Sequence, residues 1–165
     1  MMQVSFETAL KKGYLGEEII KRYLENKGWV IYQPTTKGAH AFDMLSIKDK
    51  RTAIAIDVKA KSKLTFIDAT GIDQRHFETY LKFSLKHNMP FWIIFVDEFL
   101  MEIYGNCLSE LEKPYVKDGK KYPNHISNGK IRIWHLDTMK RISTITKDEA
   151  KQLKNYNQRN EKYNL

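Results

Sequence analysis

Residues 53–63 read AIAIDVKAKSK. Side chains alternate sides along a strand, so Ile54, Ile56 and Val58 share one face while Asp57 and Lys59 share the other. The β-branched run predicts a strand over 52–60. An exposed strand would hold both charges in water. A strand this apolar reads as buried on both faces, and charges there need partners or chemistry to perform.

Outward from this stretch, the elements fall in a definite order. Residues 5–27 read as a helix, with Phe6, Leu10, Ile20 and Leu24 on one stripe and Gly28 at its C-terminal end. WVIYQ (29–33) is a short strand, PTTKGAH (34–40) a loop and AFDMLSI (41–47) a second strand. KDKR is a tight turn into the third, so these strands form a meander. A second helix is expected over 71–87, burying Phe77, Leu81 and Ser84 or Leu85. PFWIIFVDE (90–98) then returns as a strand, which calls for a parallel or mixed sheet. Beyond it come a short helix near 107–112, a hairpin at Asp118-Gly119 and a strand at 130–136. Thr146 and Glu149 have capping-box spacing for a last helix, and the chain from Asn155 reads as a polar, fraying tail. Trp29, Trp92 and Trp134 stand in strand-like runs and read as core.

The 165 residues carry a formal net charge of +8, a sequence pI near 9.4, 42% hydrophobic and 12% aromatic residues. These values fit one globular domain with an affinity for polyanions, chiefly nucleic acid. The single cysteine, Cys107, excludes an intrachain disulfide framework and a Cys-rich zinc site. No apolar run reaches membrane-spanning length and the N-terminus lacks a secretory core, so a cytoplasmic location is expected. The histidines show no HExxH-like spacing, which argues against zinc hydrolysis.

An acidic-x-Lys triplet means little alone. It recurs at Glu25–Lys27, Asp118–Lys120 and Glu149–Lys151, where a helix end, a turn and an exposed helix face explain it. Only Asp57–Lys59 follows a hydrophobic strand. Asp43 interrupts the second strand on the face of Leu45 and Ile47, and antiparallel pairing can bring it near Asp57. Glu17 lies within the first helix's stripe, whereas Glu18 points to the charged side. Such a cluster is either a structural ion network or a site for a hard cation. Mg²⁺ prefers carboxylate oxygens, waters and phosphates, and an adjacent lysine suits charge developing on a phosphate.

Glu17 on a helix, Asp43 on a strand and Asp57-Val58-Lys59 on the next resemble the PD-(D/E)xK nuclease superfamily. GEEIIKRYLENKGWVIY, FDMLSI and IAIDVKAKS are most similar to the small Holliday-junction-resolvase-like nucleases, over roughly residues 13–98. The resemblance implies an α/β, restriction-endonuclease-like αβββαβ core with a mixed central sheet flanked by helices. A C-terminal hairpin, strand and helix would extend it. One nuclease domain over 1–154 is expected, with core 5–98, extension 99–154 and tail 155–165.

The same resemblance implies Mg²⁺-dependent phosphodiester hydrolysis in DNA, with Mn²⁺ able to substitute. Asp43, Asp57 and the Val58 carbonyl would hold the metal, Glu17 would add a ligand or bind its water shell, and Lys59 would orient the attacking water. Gln74 resembles a glutamine that some members place near the site, although Glu78 stands where their tyrosine would be. Phe42 replaces the motif's proline. Lys37, His40, Lys61 and Lys63 are candidates for substrate phosphates, Lys59, Lys61 and Lys63 forming a basic track. Lys113, Lys117, Lys120 and Lys121, interleaved with Tyr115 and Tyr122, suit a nucleic-acid arm or a solvated hairpin. A homodimer would serve two-strand cutting. A non-catalytic nucleic-acid-binding module and an RNA-directed nuclease are the alternatives.

Overall fold

The structure, a computed structural model, describes residues 2–35, 40–50, 52–126 and 130–161. Helix α1 (Met2–Asn26) leads into strands β1 (Val30–Tyr32), β2 (Met44–Asp49) and β3 (Thr52–Ala60). Strand β4 (Ala69–Asp73) precedes helix α2 (Gln74–His87), followed by β5 (Phe91–Asp97) and β6 (Glu102–Cys107). A one-turn helix α3 (Leu108–Leu111), strands β7 (Tyr115–Lys117), β8 (Lys120–Tyr122), β9 (Asn124–Ile126), β10 (Ile131–His135) and β11 (Lys140–Thr144), and helix α4 (Lys147–Glu161) complete the chain.

Six strands form the main sheet in the order β1-β2-β3-β5-β6-β11. Only β3 and β5 run parallel; the other neighbours are antiparallel. The mixed α/β sheet flanked by helices is therefore the expected fold. Alternation along β3 divides the core in two. Ile56 and Val58 pack with Ile20, Leu24, Ile94 and Leu153 beneath α1 and α4. Ala55 packs on the opposite side with Phe77, Tyr80, Phe91, Phe95 and Trp134 around α2. Asp57 and Lys59 thus face the α2 side.

Local chemistry explains several boundaries. Gly28, at φ +83°, ends α1 as a left-handed cap residue. Asp118 and Gly119, at φ 51° and 72°, make the tight hairpin between β7 and β8. Thr146 and Glu149 form the reciprocal capping box, with Thr146 N–H donating to Glu149 Oε2 at 2.8 Å and Glu149 N–H to Thr146 Oγ1 at 3.2 Å.

Other boundaries move. Residues 71–73, expected as the start of a helix, are strand, because Gly71 opposes Ile133 in the β4–β10 pair. Asp73 instead caps α2, accepting the Arg75 N–H at 2.9 Å. Leu85 is 74% exposed, so the buried stripe of α2 runs through Phe77 and Tyr80. On α1 the buried stripe covers Ile19, Ile20 and Leu24, while Phe6 and Leu10 are exposed. Helix α4 continues to Glu161, into the segment expected as tail. Strands β6 and β11 widen the main sheet, whereas β10 joins β4 and β9 in a separate three-stranded sheet. Trp134 is fully buried and donates Nε1–H to the Leu111 carbonyl at 2.9 Å, while Trp29 and Trp92 lie at the core's edge.

Candidate active site

The register Met44 opposite Ile56 places Asp43 opposite Asp57. Asp43 lies just before β2 rather than within it, yet its N–H still donates to the Ile56 carbonyl at 2.9 Å. Its carboxylate Oδ2 accepts the Val58 N–H at 2.7 Å, which ties it to the strand bearing Asp57. Glu17 is delivered by α1. At Gly16 the helix comes so near β3 that an added Cβ would lie 2.8 Å from the Ala60 Cβ. Only glycine allows that approach.

Asp57 is almost fully buried and is held on two sides. Lys59 Nζ donates to Oδ1 at 2.9 Å and lies 2.8 Å from Oδ2. Among the described residues, Oδ2 has only that ion-pair contact and no well-aligned donor. Tyr80 OH donates to Oδ1 at 2.6 Å and accepts from Lys59 Nζ at 3.2 Å. The Tyr80 ring stacks on Phe91, with centroids 4.7 Å apart.

Three carboxylates therefore share one lysine. Burial, then the charge of Asp57, pushes Asp43 from 3.8 up to about 6 despite the Val58 N–H. Burial, then Asp43 and Asp57, pushes Glu17 from 4.5 up to about 7. Burial and the anionic Asp57 likewise push the Tyr80 phenol up, so it remains a donor.

With every acid ionised the cluster carries two negative charges beyond Lys59, and its oxygen donors suit a hard divalent cation. Among the described residues, no three His, Cys, Asp or Glu side chains form a ready metal cage. A cation here would rely on two carboxylates and the Val58 carbonyl, with waters or phosphates completing its shell, which is the habit of Mg²⁺.

The other expected site residues are dispersed. Lys37 lies outside the described residues. His40 is exposed, and its field works against the rise at Asp43. Lys61 Nζ donates to the Gly71 carbonyl at 2.8 Å, and burial, Lys59 and Lys12 pull its pKa down. Lys63 pairs with Asp68 at 2.6 Å. Lys61 and Lys63 therefore each have a partner within the protein, the Lys63 pair lying at the surface. Gln74 Nε2 donates to Glu78 Oε1 at 3.0 Å, away from the carboxylate cluster's own bonds.

Two residues escaped the sequence reading. Tyr80, six positions after Gln74, completes the contacts of Asp57; a polar-tipped aromatic three residues after Phe77 on the buried stripe was the available signal. Asp97 is fully buried at the end of β5. Its Oδ2 accepts the Lys63 N–H at 2.7 Å, and its Oδ1 accepts Phe99 and Leu100 N–H, both at 2.9 Å. It fixes the loop that follows β3.

The helix, meander, helix and strand around a mixed central sheet follow the order that the motifs implied, and the fold is shared with solved structures. Among solved structures, the chain is similar to Hjc, a Holliday junction resolvase from Archaeoglobus fulgidus. The identity is 15% over 79% of this chain and 92% of that one, with a TM-score of 0.56. It is also similar to a nuclease from a fusselovirus, at 13% identity over 94% and 97% of the two chains and a TM-score of 0.50. No protein-family model and no curated protein sequence matches it.

Proposed function

We propose that this chain is a Mg²⁺-dependent endonuclease that hydrolyses DNA phosphodiester bonds, of the resolvase or restriction-like type. The observation that carries the reading is the cluster of Glu17, Asp43 and Asp57 around Lys59, set on β3 of a sheet shared with known nucleases. Asp43, Asp57 and the Val58 carbonyl would hold the cation, and Glu17 faces the same point. Bound there, a divalent metal supplies Lewis-acid polarisation and a low-pKa water. Lys59 presents its ammonium to charge developing on the phosphate, and Tyr80 keeps Lys59 and Asp57 oriented. The net charge of +8 favours a polyanionic substrate. Mn²⁺ substitution, a cytoplasmic setting and a homodimer with two sites belong to the same proposal. None of the described helices is long and apolar enough to cross a membrane.

The second reading is a nucleic-acid-binding module that keeps the cluster for packing. Lys59 and Tyr80 both donate to Asp57 Oδ1, which favours it. Cleavage of labelled duplex, flap, four-way-junction, single-stranded and RNA substrates in Mg²⁺ or Mn²⁺ separates the two. Metal-dependent cutting that disappears in folded Asp57→Ala and Lys59→Ala proteins supports the nuclease. Absence of cutting with equal binding by all three proteins supports the module.

A further inference from the structure

The loop after β3 displays Phe66 with 96% of its surface exposed. An aromatic ring in water is unfavourable, yet this one is presented on a braced support. Lys63 N–H is held by the buried Asp97 at 2.7 Å. Leu64 N–H donates to the Ala69 carbonyl at 2.8 Å, and Ala69 N–H to the Ile67 carbonyl at 2.8 Å. Beside the ring opens a cavity of about 540 Å³. Leu64, Phe66 and Ile67 line it from the loop, with Tyr122 and Ile133 from β8 and β10. Among the described residues that line it, Lys120 is the one charged side chain and none is acidic.

We propose that this cavity receives one unpaired nucleobase of a DNA substrate, stacked against Phe66, with Lys120 on the adjoining phosphate. This rests on the DNA-directed reading above and names the substrate class as DNA carrying an unpaired base, such as a bulge or a flap. The chemistry selects that occupant. The walls are mainly apolar and carry the Phe66 and Tyr122 rings, which suits the face of a base, and Lys120, with no acid among the described lining residues, suits a phosphate. A base inside an intact duplex has both faces stacked and cannot enter, whereas an unpaired base offers its face freely. The braced loop avoids most of the ordering cost on binding. Because the loop leaves the strand bearing Asp57 and Lys59, an anchored base would position the nearby backbone relative to those residues. Lys63 contributes its backbone to the brace, its ammonium being committed to Asp68.

The test measures binding in EDTA, so that cutting cannot interfere. The probes are a paired duplex and the same duplex carrying one bulged 2-aminopurine. Wild-type protein is expected to bind the bulged probe about tenfold more tightly, with a change in its fluorescence from direct stacking. Phe66→Ala should reduce the preference to within about twofold and abolish the fluorescence change, while Phe66→Trp restores both. Exposed Phe66 makes neither variant a folding risk, and thermal melts check this. No preference by the wild type, or an equal preference in Phe66→Ala, would overturn the proposal. Cleavage in Mg²⁺ is read separately: cutting without bulge preference rejects the pocket alone, and bulge preference without cutting rejects the nuclease alone.

Discussion

Between about pH 5 and about pH 8 the metal-free protein should lose stability as pH rises. Glu17 and Asp43 have folded pKa values raised above their unfolded ones, so the folded state holds their protons more tightly. Their stabilising contribution is complete below the unfolded values and is lost as pH rises through about 6 for Asp43 and about 7 for Glu17. Integrated over this range, Asp43 moving from 3.8 to about 6 costs about 1.4 kcal/mol. Glu17 moving from 4.5 to about 7 costs about 2.5 kcal/mol before screening, and its partial exposure reduces that to roughly half. The sum is about 2–3 kcal/mol, which lowers Tm by about 5–10 °C in a chain of this size. The surface carboxylates Asp68, Asp73 and Asp137, held low by hydrogen bonds from Lys63, Arg75 and Lys117, act in the opposite sense at more acidic pH. Melting in EDTA across this range is the assay. Asp43→Asn should raise Tm at the alkaline end and flatten the slope, since its amide oxygen can still accept the Val58 N–H. Saturating Mg²⁺ should remove the decline, because a cation binds the deprotonated carboxylates. A Tm that is flat or rises with pH in EDTA would refute the electrostatic account of the site.

Tyr80→Phe keeps the stack on Phe91 but deletes the 2.6 Å donor to Asp57. A buried bond to a charged group predicts a loss of about 1.5–3 kcal/mol in denaturant melts; unchanged stability would show that Lys59 alone suffices. Gly16→Ala should destabilise by about 1–3 kcal/mol and reduce cleavage by moving Glu17, because its Cβ would meet Ala60. Gly13→Ala, with nothing within 4 Å of the new Cβ, should instead stabilise the helix by up to about 1 kcal/mol. Similar effects of the two glycine changes would refute close helix–strand contact as the reason for Gly16.

The segments that were misread show where local pattern loses to tertiary context. Residues 69–73 contain too few apolar side chains to announce a strand, yet pairing with β10 makes them one. Early in α1 the packed side carries Thr8 and Lys12, the latter paired with the buried Glu98, so Phe6 and Leu10 emerge on the exposed face despite their helical spacing. Strand β11 was obscure because its pairing partner lies far away in sequence, Lys140 with Gly105 and Arg141 with Tyr104.

The order of helix, meander, helix and strand was legible because alternation and helical periodicity are local properties of the chain. So were the inward directions of Glu17, Asp43, Asp57 and Lys59, since a charge interrupting an apolar face is visible within a few residues. Tertiary structure decided the rest. It brought Tyr80 to Asp57 across 23 positions of sequence, committed Lys61 and Lys63 to partners within the protein, and set Phe66 beside the cavity. Periodicity specifies the face on which a side chain emerges, but its partners and local field depend on what other segments pack there.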